Sequence, residues 1–211
     1  MTDKNEKNTK QKILDEALTL FSEKGYANVF VGEIAEKVGI KAPSLYKHFK
    51  SKQDIFDGII EEMNSHFKTA ASQLGIDGES ALADGRMYAK ISEEESIKIG
   101  MALFQYYLHD EYNQKFRKML TLEQFHDKKL GAVYTKQYFD DPLAYMKIMM
   151  GLKVKSGAFK SDAVDIMTLQ FYGPIYLLLT LCDREPEREA EAVQLLISHI
   201  KQFNKLYSGG K

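Results

Sequence analysis

The sequence has one cysteine, four prolines and no tryptophan among its 211 residues. A lone Cys182 excludes an intrachain disulfide and any zinc site built from several thiolates. So few helix breakers, in a chain rich in helix formers, point to an all-α protein. The longest apolar run counted is Phe171–Cys182, twelve residues. A membrane span needs roughly 18, so no membrane partner is expected. The N-terminus, Met-Thr-Asp-Lys-Asn-Glu-Lys, lacks the apolar segment of a secretory signal, which makes the cytoplasm the expected location. A hydrophobic fraction of 44% and a charged fraction of 28% exclude wholesale disorder.

Enzyme signatures are also scarce. There is no P-loop, no Gly-x-Gly-x-x-Gly and no Gly-x-Ser-x-Gly. The pairs His109-Asp110 and His126-Asp127 resemble fragments of a metal phosphohydrolase, without the further spaced ligands. A di-iron bundle needs two Glu-x-x-His motifs, and only Glu123 to His126 fits. A helical metal-dependent enzyme is therefore the minor alternative, and no cofactor is expected.

Charge is unevenly placed. Residues 1–52 hold ten lysines against seven acidic residues, a net +3, which leaves −4 for residues 53–211. A basic head on an acidic body suggests a polyanionic partner for the head.

The spacing of apolar residues gives the elements. Residues 1–8 are polar and expected to be mobile. Ile13, Leu14, Ala17, Leu18 and Phe21 share one helix face, and Gly25 stops it, giving a helix over about 9–24. A second helix is predicted over 31–38, ended by Gly39. A third runs over 42–49 with Pro43 in its first turn. Ser51 with Asp54 resembles a capping box that opens a long helix over 52–73. Residues 74–91 read as a loop or weak helix. Further helices are predicted over 97–109, 111–120, 122–139, 141–155, 161–182 and 187–207, before a flexible Ser208-Gly209-Gly210 tail. Glu93, Glu94 and Glu95 read as a solvated helix start.

Residues 33–52, EIAEKVGIKAPSLYKHFKSK, carry the functional signal. Two short helices joined through Gly39 form a helix-turn-helix, whose second helix enters the DNA major groove. Ile34, Val38, Ile40 and Leu45 fill a small core behind the pair. Lys41, Lys47, His48, Lys50 and Lys52 cluster within twelve positions, and Ser44 and Tyr46 add hydroxyls suited to phosphates.

Residues 9–56 resemble the N-terminal domain of the tetracycline-repressor (TetR) family of bacterial transcription regulators. The matching residues are Ile13, Ala17, Phe21, Gly25, Tyr26, Ile34, Ala35, Val38, Gly39, Leu45, Tyr46, His48, Phe49, Lys52 and Ile55. The run Leu-Tyr-Lys-His-Phe-Lys-Ser-Lys is the specific part of the match. Val29 or Phe30 stands where the family often has a phosphate-contacting Thr, Lys41 where a Ser commonly caps, and Pro43 where Gly is common. The resemblance implies a head over 1–52, a helix-four connector over 52–73, and a helical ligand-binding and dimerisation domain over 53–211. It implies that Tyr46, His48 and Lys52 contact the DNA backbone, with Lys41, Ser44 and Lys47 as groove or phosphate contacts.

The expected function is that of a ligand-responsive regulator, a repressor by default, binding a double-stranded palindromic operator. One head offers about four or five cations, too few for tight binding at physiological salt, so a homodimer is expected. The apolar stretch 163–182 and the stripe of the last helix supply its interface, with Leu178, Val193, Leu196, Ile197 and Ile200 as candidates. An unknown small-molecule effector, largely apolar, is expected among Phe104, Tyr107, Phe125, Tyr145, Met149, Phe171, Tyr172 and Tyr176. Gly173-Pro174 would kink the helix beside three of these, and Gly58 is a conceivable hinge in helix four. An architectural DNA-binding protein without ligand response is the other alternative.

Overall fold

The computed structural model describes residues 2–88 and 91–208. Helices joined by turns and loops make up the described residues, with no β-strand among them and one isolated bridge between Phe159 and Ser208. Eleven α-helices are found among them. They are α1 (Thr2–Lys24), α2 (Val31–Val38), α3 (Ala42–Leu45), α4 (Lys52–Gln73), α5 (Ala81–Tyr88) and α6 (Glu93–His109). The others are α7 (Glu111–Glu123), α8 (Lys128–Thr135), α9 (Asp141–Lys155), α10 (Val164–Arg184) and α11 (Glu189–Tyr207).

Most predicted elements are present, with changes at their limits. Helix α1 starts at Thr2, because nothing in the polar segment breaks a helix. The loop or weak helix expected over 74–91 is a loop followed by the short α5, whose start Ser80 and Asp77 cap with side-chain oxygens. The single helix expected over 122–139 is interrupted by the turn after Glu123 and ends in a π-helical turn, Lys136–Asp140. Gly209 and Gly210 of the expected tail lie outside the described residues.

The chain divides into two compact units, and the boundary is not at residue 52. The first unit runs to His66 and takes in Glu111–Tyr134. The second holds Phe67–Asp110 and continues from Thr135. Hydrophobicity explains why α7 joins the first unit. Tyr112, Phe116, Met119 and Leu120 recur at helical spacing and are all buried, as are Ile13, Ala17, Leu20 and Phe21 of α1, against which α7 packs. Aromatic rings continue this core: Phe21 meets Tyr26 at 5.0 Å, Tyr26 meets Phe56 at 5.6 Å, and Phe56 meets Phe116 at 6.5 Å.

In the second unit α10 packs on α6, α9 and α11. Phe104, Leu108, Leu178, Leu179, Cys182, Leu196 and Ile200 form one buried cluster, and Met150, Phe159, Met167, Phe203 and Tyr207 another. Helix α10 has 21 residues and by length and composition is apolar enough to cross a bilayer. The twelve-residue run counted in the sequence understated it, because residues 166–170 before Phe171 are also uncharged. Asp84, buried, accepts from the Asp77 and Gly78 amides at 2.7 and 2.8 Å and from the Tyr145 hydroxyl, which fixes the loop before α5 to α9.

Gly58 does not act as a break, since α4 runs unbroken past it. A Cβ there would lie 3.0 Å from Leu14 Cδ2 and 3.2 Å from Phe49 Cε1, so the glycine lets α4 approach α1 and the end of the helix-turn-helix closely. Gly58→Val is expected to overpack this contact and lower stability by about 1–3 kcal/mol. Thermal unfolding checks it, and an unchanged midpoint would restore the hinge interpretation.

Candidate nucleic-acid interface

The helix-turn-helix is built from short-range constraints. Gly25 adopts φ +83° and its amide donates to Phe21 O at 3.0 Å, which ends α1. Lys24 then reaches Glu33 at 2.7 Å, tying α1 to α2. Glu33 Oε2 also accepts the Phe30 amide at 2.9 Å, and both contacts hold its carboxyl below the usual range, the Lys24 hydrogen bond most strongly. Gly39 at φ +81° ends α2, with its amide on Glu36 O at 3.0 Å and the Ile40 amide on Ala35 O at 2.9 Å. The third helix, predicted to reach 49, ends at Leu45, and hydrogen-bonded turns continue from there to Phe49.

Ile34, Ala35, Leu45 and Phe49 are buried behind the motif, whereas Val38 and Ile40 are half-buried at its edge. Lys41, Tyr46 and Lys47 are exposed, as are Lys37 and Lys50. Ser44 and His48 are half-buried. Five of the six predicted DNA residues thus lie in one segment, 41–48, on helix turns backed by a small apolar core.

Lys52 is the exception. Its Nζ donates to Tyr26 O at 2.7 Å, Val29 O at 3.0 Å and Ala27 O at 3.4 Å, and lies 4.3 Å from the Tyr26 ring centroid. An ammonium has three donors, and all three are taken inside the head. Burial pushes its pKa below the usual lysine range, opposed by the nearby charges of Glu123 and Asp127. The expected phosphate contact is therefore corrected to an internal clamp on the turn before α2.

Glu123 is the residue the sequence reading missed. It ends α7, is 4% exposed, and its Oε1 accepts the Ala27 amide at 3.4 Å. Oε1 also lies 2.5 Å from where a Cβ on Gly25 would stand, so Gly25 is needed for space as well as for its backbone angle. Its Oε2 has no hydrogen-bond partner among the described residues. The one available signal was its Glu-x-x-His spacing with His126, which pointed to metal chemistry instead. His126 is exposed and bonds Leu122 O at 3.0 Å, and His109 pairs with Glu189 at 2.9 Å. Among the described residues no three His, Cys, Asp or Glu side chains gather as metal ligands would.

The candidate effector residues do not form one wall. Phe125 belongs to the first unit and is 90% exposed, since it stands in the turn after α7 with nothing packed on it. Phe104 and Met149 are buried in the second unit. Tyr145 bonds Asp84, and burial pushes its hydroxyl pKa far above the ordinary tyrosine value. Tyr107 stacks near Phe67 at 5.9 Å, and Phe171 meets Phe203 at 5.0 Å. Phe104, Tyr107 and Phe171 gather in one apolar cluster, and a second group is made by Tyr172 and Tyr176. They lie on α10 before and after Pro174, close to Tyr138 and Phe139 of the π-helical turn, and the Tyr172 hydroxyl donates to Tyr138 O at 2.8 Å.

The dimer candidates lie mostly on the inward faces of α10 and α11. Leu178, Leu196 and Ile200 are buried in the chain's own core, and Val193 and Ile197 are half-buried. The outward residues are Ile166, Leu169, Gly173 and Leu177 on α10 and Leu195 and Leu206 on α11. Both sets recur at helical spacing. Two apolar stripes on one helix cannot be assigned inward or outward by periodicity alone.

Comparison with known proteins agrees with this geometry. Residues 13–59 match the family model described as bacterial regulatory proteins, tetR family. The segment is 54% identical over 48 residues to the biofilm operon icaADBC HTH-type negative transcriptional regulator IcaR of Staphylococcus aureus, covering 23% of this chain and 26% of that protein. The chain therefore spans about a quarter of the length of the curated relatives it matches. Over nearly the whole chain the fold is that of solved regulators. The SmeT–triclosan complex superposes with a TM-score of 0.69 at 18% identity, covering 95% of this chain and 92% of that one. SmeT is the repressor of the Stenotrophomonas maltophilia multidrug efflux pump SmeDEF. A TetR family transcriptional regulator from Pseudomonas syringae pv. tomato gives 0.64 at 14% identity, covering 94% and 96%.

Lys52→Met is expected to leave three carbonyls without their donor and to lower stability by about 1–3 kcal/mol. Lys47→Gln, on the exposed side, should leave the thermal midpoint where it is. Equal midpoints for both variants would contradict the clamp.

Proposed function

The N-terminal domain of this chain belongs to the tetR family of bacterial regulatory proteins, and from that premise we propose that the whole chain is a transcriptional repressor that binds duplex DNA as a homodimer. The observation that carries the reading is the segment Lys41–His48. Its apolar residue Leu45 is buried, while Lys41, Tyr46 and Lys47 face solvent beside Ser44 and His48. Lysine and hydroxyl groups on the second helix of such a motif fit phosphates and base edges. Repression is favoured over activation because IcaR is a negative regulator and SmeT a repressor. The site of action is the cytoplasm, where the DNA is.

Pairing follows from the charge. Lys37, Lys41, Lys47 and Lys50 give one head four exposed cations near the motif, too few phosphate contacts for tight binding at physiological salt. The exposed stripe Ile166, Leu169, Gly173 and Leu177, beside Leu195 and Leu206 on the adjoining α11, is the surface for a second copy. The glycine in its middle lets two α10 helices approach closely. Release is by a small, largely apolar molecule, with Tyr172, Tyr176 and Tyr138 at the π-helical turn as its contacts. π-Helical turns inside helical runs are frequent at functional sites, and SmeT, with the same fold, has been solved as a triclosan complex.

Two measurements test this. Affinity for duplex DNA against salt should give a linear log–log plot, and Lys47→Gln should reduce its slope by about 1 per head while weakening binding on every sequence. A slope unmoved by both Lys41→Gln and Lys47→Gln would contradict the proposed face. In sedimentation, Leu177→Glu should give folded single chains, while Leu178→Glu, which puts a charge into the core, should unfold the second unit. Wild-type protein sedimenting at the 24.1 kDa of one chain would contradict the pairing.

A further inference from the structure

Helix α8 opens on two lysines, Lys128 and Lys129, and has no acidic residue in its first turn. The positive end of a helix dipole disfavours cations there. Both side chains are exposed, and neither makes an ion pair or a side-chain hydrogen bond among the described residues. The adjacent carboxylate does not neutralise them by contact. Asp127 Oδ1 is turned to the backbone and accepts the Lys129 and Leu130 amides at 2.7 and 3.1 Å. Two uncommitted cations kept against the local preference are a conflict of the kind found at functional sites.

The turn that carries them is rigid and close to the helix-turn-helix. The Gln124 amide donates to Leu120 O at 2.9 Å, the His126 and Asp127 amides to Glu123 O at 2.9 and 3.0 Å, and the Gly131 amide to Asp127 O at 2.8 Å. A Cβ on Gly131 would stand 2.6 Å from Gln124 O, so α8 is folded tightly back on the turn. At the base of the turn Glu123 accepts the Ala27 amide, and the Asp127 charge acts on Tyr26 and on Lys52. The two lysines thus start beside the connection 25–30, in the same compact unit as the motif. Helix α2 leaves that connection, and the first helix of such a motif crosses the DNA backbone. Lys52, the cation of the head that lies at this connection, is spent on its carbonyls.

We propose that Lys128 and Lys129 make a second DNA contact outside the helix-turn-helix, holding phosphates of the duplex that flank the stretch met by the motif. Ammonium groups on phosphates fix position and carry no sequence information. They supply on this side the backbone charge that Lys52 does not. Phe125, 90% exposed in the same turn, would suit a protein partner, but two unneutralised lysines beside it favour a polyanion. The inference rests on the DNA-binding reading above, and the test separates the two.

The probe is a random-sequence duplex of about 30 base pairs, titrated by fluorescence anisotropy at several salt concentrations. The proteins are wild type, the pair Lys128→Gln with Lys129→Gln, Lys47→Gln, and Lys155→Gln as an exposed lysine of the second unit. The pair should lower the log–log salt slope by about 2 per head and weaken binding roughly tenfold at low salt, while Lys155→Gln leaves the slope alone. Removing cations from the start of α8 relieves the dipole, so the thermal midpoint of the pair should hold or rise while its DNA affinity falls. Midpoint and affinity falling together would mean a structural role and overturn the proposal. An equal loss of slope in Lys155→Gln would overturn it too, since net charge alone would then be at work. A wild-type slope in the pair beside a flattened Lys47→Gln leaves DNA binding standing and removes the α8 lysines from it. A drop in sedimenting mass for Phe125→Ser, with the pair at the wild-type slope, would make the turn a contact between copies instead. No loss in any variant, Lys47→Gln included, would remove the DNA-binding reading and this inference together.

Discussion

One ammonium group holds the turn from which the helix-turn-helix starts. Lys52 gathers the carbonyls of Tyr26, Ala27 and Val29, and its stem and charge lie over the Tyr26 ring. Those carbonyls belong to the six-residue connection 25–30, where the one other donor to them among the described residues is the Val29 amide, 3.4 Å from Tyr26 O, so without Lys52 the buried Val29 would be left with an unpaired carbonyl. Opposite them Glu123 accepts the Ala27 amide, and its charge attracts Lys52. The turn is thereby held from both sides. The direction in which α2 sets out follows from it, and with it the position of Phe30 and of the segment that faces solvent after Gly39.

This explains why a lysine counted with the basic cluster does not serve the same purpose as its neighbours. Lys41 and Lys47 stand on helix turns whose buried side is already filled by Leu45, so their charges can only point outward. Lys52 starts α4, whose first turn packs on the head through Ile55 and Phe56, and its long stem runs back over Tyr26. Sequence distance from the motif is similar in each case, and the difference is which element the residue begins.

Much of the head was legible because its signals are local. Gly25 and Gly39 both take positive φ, the α2 limits match the spacing of Ile34, Ala35 and Val38, and Ser51 with Asp54 does cap α4: the Asp54 amide meets Ser51 Oγ at 3.0 Å and the Lys50 amide meets the Asp54 carboxylate at 2.9 Å. What escaped was non-local. Nothing near Glu123 in the chain announces that it closes on Gly25, nearly a hundred residues away. The stripes of α10 and α11 were visible, but which stripe is core depends on partners that periodicity does not name. Leu178 went inward and Leu177 outward, at 6% and 65% exposure, though they are adjacent and identical. The aromatic residues of the second unit were chosen by type, and type does not distinguish Phe104, packed in a core, from Tyr172, hydrogen-bonded at a π-helical turn.

The central claim is that duplex DNA meets the chain at α2 and the segment after Gly39. Amide chemical shifts followed by NMR during titration with a short duplex test it most directly. The account predicts that perturbations concentrate at residues 30–32, 41–50 and 128–129, with the exposed stripe of α10 and α11 unmoved. Shifts confined to the second unit, or none below roughly millimolar protein and DNA, would contradict it.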